Sequence, residues 1–174
     1  EGDAISLAEA RTRTFARRKI FIVSTPTISG ASAIEREYEA SDQRRYFVPC
    51  PHCNHPQWLR FEQLRWDKGQ PETAAYICES CDTAISEHHK TWMLERGEWR
   101  SMAQGKTAGF HLSSLYSPVG WRSWRDIAAA WEAAVNKESG SAAAIKTFKN
   151  TELGETWVEE GEAPDWQRLV ERRE

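Results

Sequence analysis

The hydrophobic pattern changes character three times along the chain. Over residues 5 to 18, Ile5, Ala8 and Phe15 are spaced to face one way on a helix. Lys19 to Thr25 (KIFIVST) is a nearly continuous apolar run, the pattern of a strand covered on both faces by helices. Pro26 and Gly30 break the chain. Ser32 followed by Glu35 reads as a capping box opening a helix, with Ile34 and Tyr38 one turn apart. Helix, buried strand, polar turn and helix make an α/β edge.

From Tyr46 the texture turns to short β-like runs: YFVPC, QWLRF and AAYIC, with a turn-rich stretch from Asp67 to Thr73 between them. Ser86 is placed to cap a short helix over 87–95 carrying Trp92 and Met93, and Trp99 and Gly109–Leu115 read as further strands. Trp124, Ile127, Trp131 and Val135 then recur at helical spacing behind Ser123, an N-cap with Asp126 three residues on. A second helix is expected from Ala142 to about Asn150, with Ile145 and Phe148 inward. Beyond Gly154 the chain turns acidic, and Pro164 ends any regular element.

Composition narrows the class. Hydrophobic residues at 40% and charged residues at 28% indicate a globular chain, and nine Trp residues demand several packed cores. The longest apolar run, Ile20–Val23, is far short of the ~20 residues a membrane span needs. No signal peptide is present, which points to the cytoplasm. The first residue is Glu1, not Met, so a piece of a longer protein is expected. The net charge of −3 is unevenly spread. Arg11, Arg13, Arg17, Arg18 and Lys19 form a basic cluster, read first as a solvated helix face and second as a phosphate contact. Residues 152 to 174 hold eight acidic and three basic residues, a local −5.

The clearest chemistry lies in the cysteines. Cys50-Pro51-His52-Cys53 and Cys78-Glu79-Ser80-Cys81 are two C-x-x-C units with 24 residues between them (78 − 53 − 1). Two intervening residues let both thiolates of a tight turn face one ion, and two such turns complete a tetrahedral S₄ shell suited to zinc. A closed shell leaves no position for water, so this zinc is expected to be structural. Disulfides, a C-P-H-C redox motif and an iron–sulfur cluster are the rivals. The redox motif should open a helix, whereas Asn54-His55-Pro56 follows. His52, His55, His88 and His89 read as ordinary surface or supporting histidines. Gly105-Lys106-Thr107 resembles the end of a phosphate-binding P-loop, but position 100 is Arg where the motif needs Gly. Ser24, Thr25 and Thr27 follow the apolar run, where α/β folds place ligand-binding hydroxyls; composition alone makes them a polar strand exit.

The chain resembles the large terminase subunit of lambda-type tailed phages, an enzyme that packages and cuts viral DNA. The resemblance is carried by EGDAISLAEARTRTF, RKIFIVSTPTISGASAIEREYEASDQRRYFVPCPHC, GFHLSSLYSPVGW and FKNTELGETWVEEGEAPD. It implies that KIFIVSTPT is a coupling motif, with Ser24, Thr25 and Thr27 linking ATP hydrolysis to DNA movement. It implies a zinc-ribbon insert at Cys50 to Cys81. The P-loop and acidic strand end are expected upstream of Glu1, and the nuclease acidic residues beyond Glu174. ATP and magnesium would then belong to the parent protein, and this piece by itself should hydrolyse no ATP and cut no DNA. Implied partners are double-stranded DNA, the small terminase subunit, the portal and further copies of the subunit on the prohead, in the host cytoplasm and away from any membrane.

The expected fold is a mixed α/β fragment: residues 1–45 as the edge of a P-loop-type ATPase sheet, 46–118 as the zinc ribbon and following strands, and 119–174 as a mainly helical connector. Without neighbouring strands, KIFIVST would be an exposed apolar edge. Two other functions fit the residues: a stand-alone zinc-ribbon adaptor for nucleic acid or protein, and a thiol–disulfide oxidoreductase using Cys50 and Cys53.

Overall fold

Two small sheets, each carrying one C-x-x-C turn, organise the molecule. The computed structural model describes residues 4–136 and 140–158; the acidic tail beyond residue 158, with Pro164, lies outside them. In the first sheet, β1 (Arg44–Pro49) is central. It pairs antiparallel with β2 (Pro56–Trp58) and with β6 (Glu98–Arg100), and in parallel with β7 (Phe110–His111). The second sheet runs β3 (Leu64–Asp67), β4 (Gln70–Ile77), β5 (Ala84–Ile85), all antiparallel. Gly69 at φ +77° turns the β3–β4 hairpin, a conformation that favours glycine.

The sheets are held together by buried aromatics whose polar ends are satisfied. The Tyr116 hydroxyl donates to the Tyr46 carbonyl (2.7 Å) and accepts from the Leu59 N–H (2.6 Å). It thereby ties β1 to the segment leaving β2. Tyr76 and Trp124 are fully buried with ring centroids 5.8 Å apart, and Trp124 Nε1 donates to the Leu115 carbonyl.

Trp124 opens α4 (Trp124–Val135), which lies on β3 and β4. Its N-terminus is the expected capping box: Asp126 N–H donates to Ser123 Oγ, and the Asp126 carboxylate accepts from Ser123 N–H. Glu132 on α4 accepts from both Trp66 Nε1 and Gly69 N–H, so the helix also fixes the β3–β4 turn. α5 (Ala142–Phe148) packs on α4, and Phe61, Trp131 and Phe148 form a triangle with centroids 5.1–5.2 Å apart. A π-helical turn, Lys149–Leu153, extends α5 and ends at Gly154, which is left-handed at φ +65°.

Several expectations are corrected. QWLRF is not one strand: β2 stops at Trp58, and a 3₁₀ turn at Phe61–Gln63 leads into β3. Gly109–Leu115 contributes only the two-residue β7 before a 3₁₀ turn at Ser114–Tyr116. The helix expected over 5–18 is α1 (Ala4–Thr12), where the Thr12 hydroxyl bonds back to the Glu9 carbonyl; Ala8 and Phe15 are exposed. Lys19–Thr25 forms no strand, and Phe21 and Val23 are 86% and 74% exposed. A strand needs ladder partners for its N–H and C=O groups, and none of the described strands lies against this run. Ser32 does cap α2 (Ala33–Glu39) by position, but the capping box does not close. Glu35 is drawn instead to the Gly30 N–H at 2.7 Å.

Candidate metal centre

Each C-x-x-C unit is the tip of a β-hairpin, the first between β1 and β2 and the second between β4 and β5. The two tips repeat one another bond for bond. Cys50 N–H donates to the His55 carbonyl and Cys78 N–H to the Thr83 carbonyl. Asn54 N–H donates to the Cys50 carbonyl and Asp82 N–H to the Cys78 carbonyl. His52 N–H and Ser80 N–H each point at the first sulfur of their own turn, both at 3.4 Å. The residue after each second cysteine, Asn54 (φ +61°) or Asp82 (φ +54°), takes the left-handed conformation that Asn and Asp tolerate better than most residues. The sequence therefore builds the same turn twice from C-x-x-C-[N/D].

The four Sγ atoms lie within 4.8 Å of one another. Cys50 Sγ is 3.9 Å from Cys81 Sγ, and Cys53 Sγ is 3.7 Å from Cys78 Sγ. The edge of a tetrahedron with metal–sulfur bonds of ~2.3 Å is about 3.8 Å, so the cluster has the size a four-thiolate ion requires. Disulfides, with sulfurs ~2.05 Å apart, are excluded here, and all four cysteines are free. Four cysteines so close together can bind a metal ion. A redox role for Cys50 finds no footing: Cys50 is buried, and β2 rather than a helix follows its turn.

Burial sets the two inner thiols, Cys50 and Cys78, apart from the outer two. Burial raises the thiol pKa values of Cys50 and Cys78. Thr83, through its hydroxyl and its backbone, lowers that of Cys81. An ion with four thiolates would thus drive deprotonation of the two inner sulfurs. Around the cluster, Glu79 in the second turn pairs with His55 of the first turn (3.2 Å) and with Arg60 (2.6 Å). Buried Gln57 accepts from Glu79 N–H, locking the two tips together. Of the histidines, His52 and His89 meet edge to face at 5.6 Å, and His88 and His89 are tilted at 3.9 Å; none of the four joins the sulfur cluster.

The other candidates fall elsewhere. Ser24, Thr25 and Thr27 are exposed on the irregular segment before α2, far along the chain from the sulfurs; Ser24 Oγ donates to the Thr25 carbonyl at 3.3 Å. Gly105 is a packing glycine: a Cβ there would sit 2.4 Å from the Ser41 backbone. Arg11, Arg13 and Arg17 stand on and just after α1; Arg13 and Arg17 are exposed. Glu87 and Lys90 escaped the sequence reading. Lys90 is wholly buried and pairs with Glu87 at 2.6 Å, while both Glu87 oxygens accept from Trp124 N–H at the start of α4. Glu87 opens a 3₁₀ turn (Glu87–His89) and Lys90 begins α3 (Lys90–Glu95), and charged residues at the start of a short helix gave no sign of this.

A family described as "Phage terminase large subunit gpA, ATPase domain" matches residues 1–99. The chain belongs to the phage terminase large subunit family. A second description, "Terminase large subunit gpA, endonuclease domain", matches residues 107–174 of this terminase segment. The terminase large subunit of Enterobacteria phage P21 is 32% identical over 198 residues, covering 99% of this chain and 30% of the relative. That of Escherichia phage lambda is 30% identical over 202 residues, covering 100% of this chain and 30% of the relative. The chain thus spans about 30% of the length of these curated relatives. No solved structure matches it. Among the described residues, no helix is long and apolar enough to cross a membrane.

The fold does not respect the border between the two terminase matches. β7, from the endonuclease-matching part, pairs with β1, from the ATPase-matching part, and Asp42 gathers the link. Its carboxylate accepts from Arg44 Nε, Gly109 N–H and Ser101 Oγ, and its carbonyl from Met102 and Ala103 N–H.

Proposed function

We propose that this chain is the part of a DNA-packaging motor subunit in which an ATPase and an endonuclease are joined through a zinc ribbon. The observation that carries the reading is the succession of the two family matches along one continuous fold. The parent subunit drives double-stranded DNA into proheads with ATP and magnesium, cuts concatemers, and works in the host cytoplasm as a homo-oligomer with the small subunit and the portal. The 174-residue chain alone is expected to do neither reaction.

Within it, Cys50, Cys53, Cys78 and Cys81 hold one structural zinc ion. Zinc suits four thiolates at this spacing, and with all positions filled its work is to pin two hairpins whose own cores are small. Residues 1–45 end the ATPase domain, 46–118 form the ribbon and its following strands, and 119–174 lead toward the nuclease. Ser24, Thr25 and Thr27 serve as the coupling motif; all three are exposed, where a phosphate or its water can meet them.

Metal analysis and thiol counting test the zinc assignment. One zinc per chain, four thiols masked before chelation and four free afterwards, is the expected result; a metal-free folded chain with four reactive thiols refutes it. In the intact subunit, Thr25→Val and Thr27→Val should leave nucleotide binding in place and lower DNA translocation at least tenfold. Unchanged translocation in both removes the coupling role.

A further inference from the structure

The exposed turn that carries Thr27 is bonded, backbone to backbone, to residues near the far end of the described chain. Trp157 N–H donates to the Thr27 carbonyl and Ser29 N–H to the Trp157 carbonyl, both at 2.9 Å, closing a parallel bridge between Ile28 and Trp157. The Asn150 carboxamide, with its nitrogen facing two carbonyls, donates to Thr27 (3.3 Å) and to Glu155 (2.9 Å). Glu35 supplies the third tie. Its carboxylate accepts from Gly30 N–H (2.7 Å), Ser29 Oγ (3.0 Å) and Thr156 Oγ1 (2.8 Å). The diverted capping residue is therefore a hub between the turn and the 150–157 segment.

That segment is also anchored at its other end. The π-helical turn delivers it, Glu155 N–H donates to the Lys149 carbonyl, and Glu152 pairs with Arg122. His111 on β7 closes the arrangement. Its Nε2 is 3.1 Å from the Gly154 carbonyl, and its Nδ1 faces the Arg45 guanidinium. Burial, then the charge of Arg45, hold the His111 pKa down to about 4, so the ring is neutral at pH 7. Since the guanidinium can only donate, Nδ1 accepts and Nε2–H donates to Gly154.

We infer that residues 150–157 are a strap through which movement of the Ser24–Thr27 turn reaches the endonuclease-matching half. Thr27 cannot be displaced without either carrying Asn150 and Trp157 with it or breaking the bonds that join them. This inference rests on the coupling-motif reading of Ser24, Thr25 and Thr27.

Hydrogen–deuterium exchange of the intact large subunit, with and without a non-hydrolysable ATP analogue, tests it. The peptides spanning 24–30 and 150–158 should change exchange together, by tenfold or more, when the analogue binds. Trp157→Pro removes the N–H that holds Thr27, and Glu35→Ala removes the side-chain hub. In each variant the 24–30 peptide should still respond and the 150–158 response should fall at least threefold. Response at 24–30 with none at 150–158 in the unmodified subunit overturns the strap and leaves the coupling reading standing. Silence at both peptides defeats the coupling reading and the strap with it. A full response at 150–158 in both variants also overturns the strap.

Discussion

Glu87 satisfies two groups that have no other good partner. Lys90 is fully buried, its Nζ 2.6 Å from Glu87, 3.4 Å from the Arg122 carbonyl and 5.1 Å from the centre of the Trp124 ring. The Trp124 N–H at the first turn of α4 donates to the same carboxylate. In Glu87→Ala the ammonium keeps one long hydrogen bond and a ring face. Leaving a buried charge without its partner costs about 3–5 kcal/mol. Lys90 could instead shed its proton. Starting from an ordinary pKa of 10.5, neutralising it at pH 7 costs at most about 5 kcal/mol, so the two routes bound the same loss. At roughly 2–4 °C per kcal/mol for a chain of this size, the midpoint should fall by about 6–20 °C.

The assay is guanidinium and thermal unfolding of the metal-loaded chain, run on Glu87→Ala, Lys90→Met and the double variant. Methionine fills the lysine's space without charge, so the double variant should recover about 2 kcal/mol or more of the loss. The pH dependence gives a second check. Burial lowers the pKa of Lys90 in the folded chain, against the pull of Glu87. Between that lowered value and 10.5 the unfolded chain binds more protons, so stability rises with pH across the window. Removing Glu87 deepens the depression and steepens the rise, to at most about 1.4 kcal/mol per pH unit, and Lys90→Met abolishes it. The reasoning is refuted if Glu87→Ala lies within about 1 kcal/mol of the parent chain, or if Lys90→Met restores nothing.

Two further outcomes follow from single hydrogen-bonding groups. Tyr116→Phe strips the buried Leu59 N–H of its acceptor and the Tyr46 carbonyl of a donor, and should cost about 1–3 kcal/mol by equilibrium unfolding; a neutral result would mean another partner moves in. Ser123→Ala opens one half of the capping box and should cost about 1 kcal/mol, while Ser123→Asp should lose only a few tenths, a contrast that circular-dichroism melts can resolve.

What could be read from the chain was what local chemistry dictates. The two cysteine turns and the Ser123–Asp126 cap are complete within six residues each, so their geometry follows from their own side chains. KIFIVST shows the limit. Its apolar run fits a covered strand, but a strand exists only with neighbours, and those described here pair elsewhere. Glu35 departs from its expected cap for a related reason: Ser32 and Glu35 carry the right letters for a cap, yet Gly30, Ser29 and Thr156 offer the carboxylate three donors at once. The Glu87–Lys90–Trp124 contact and the Thr27–Trp157 bridge join segments far apart in sequence. Neither leaves a periodic trace in the sequence.

The parallel pairing of β7 with β1 has a practical consequence for anyone dissecting these proteins. A boundary drawn at residues 100–106, where one family description gives way to the next, would strip a strand from the ribbon's sheet. It would also strand Asp42 without Ser101, Met102, Ala103 and Gly109. Chimeras that exchange one half for a relative's should therefore keep residues 42–135 together, since α4 also packs on β3 and β4.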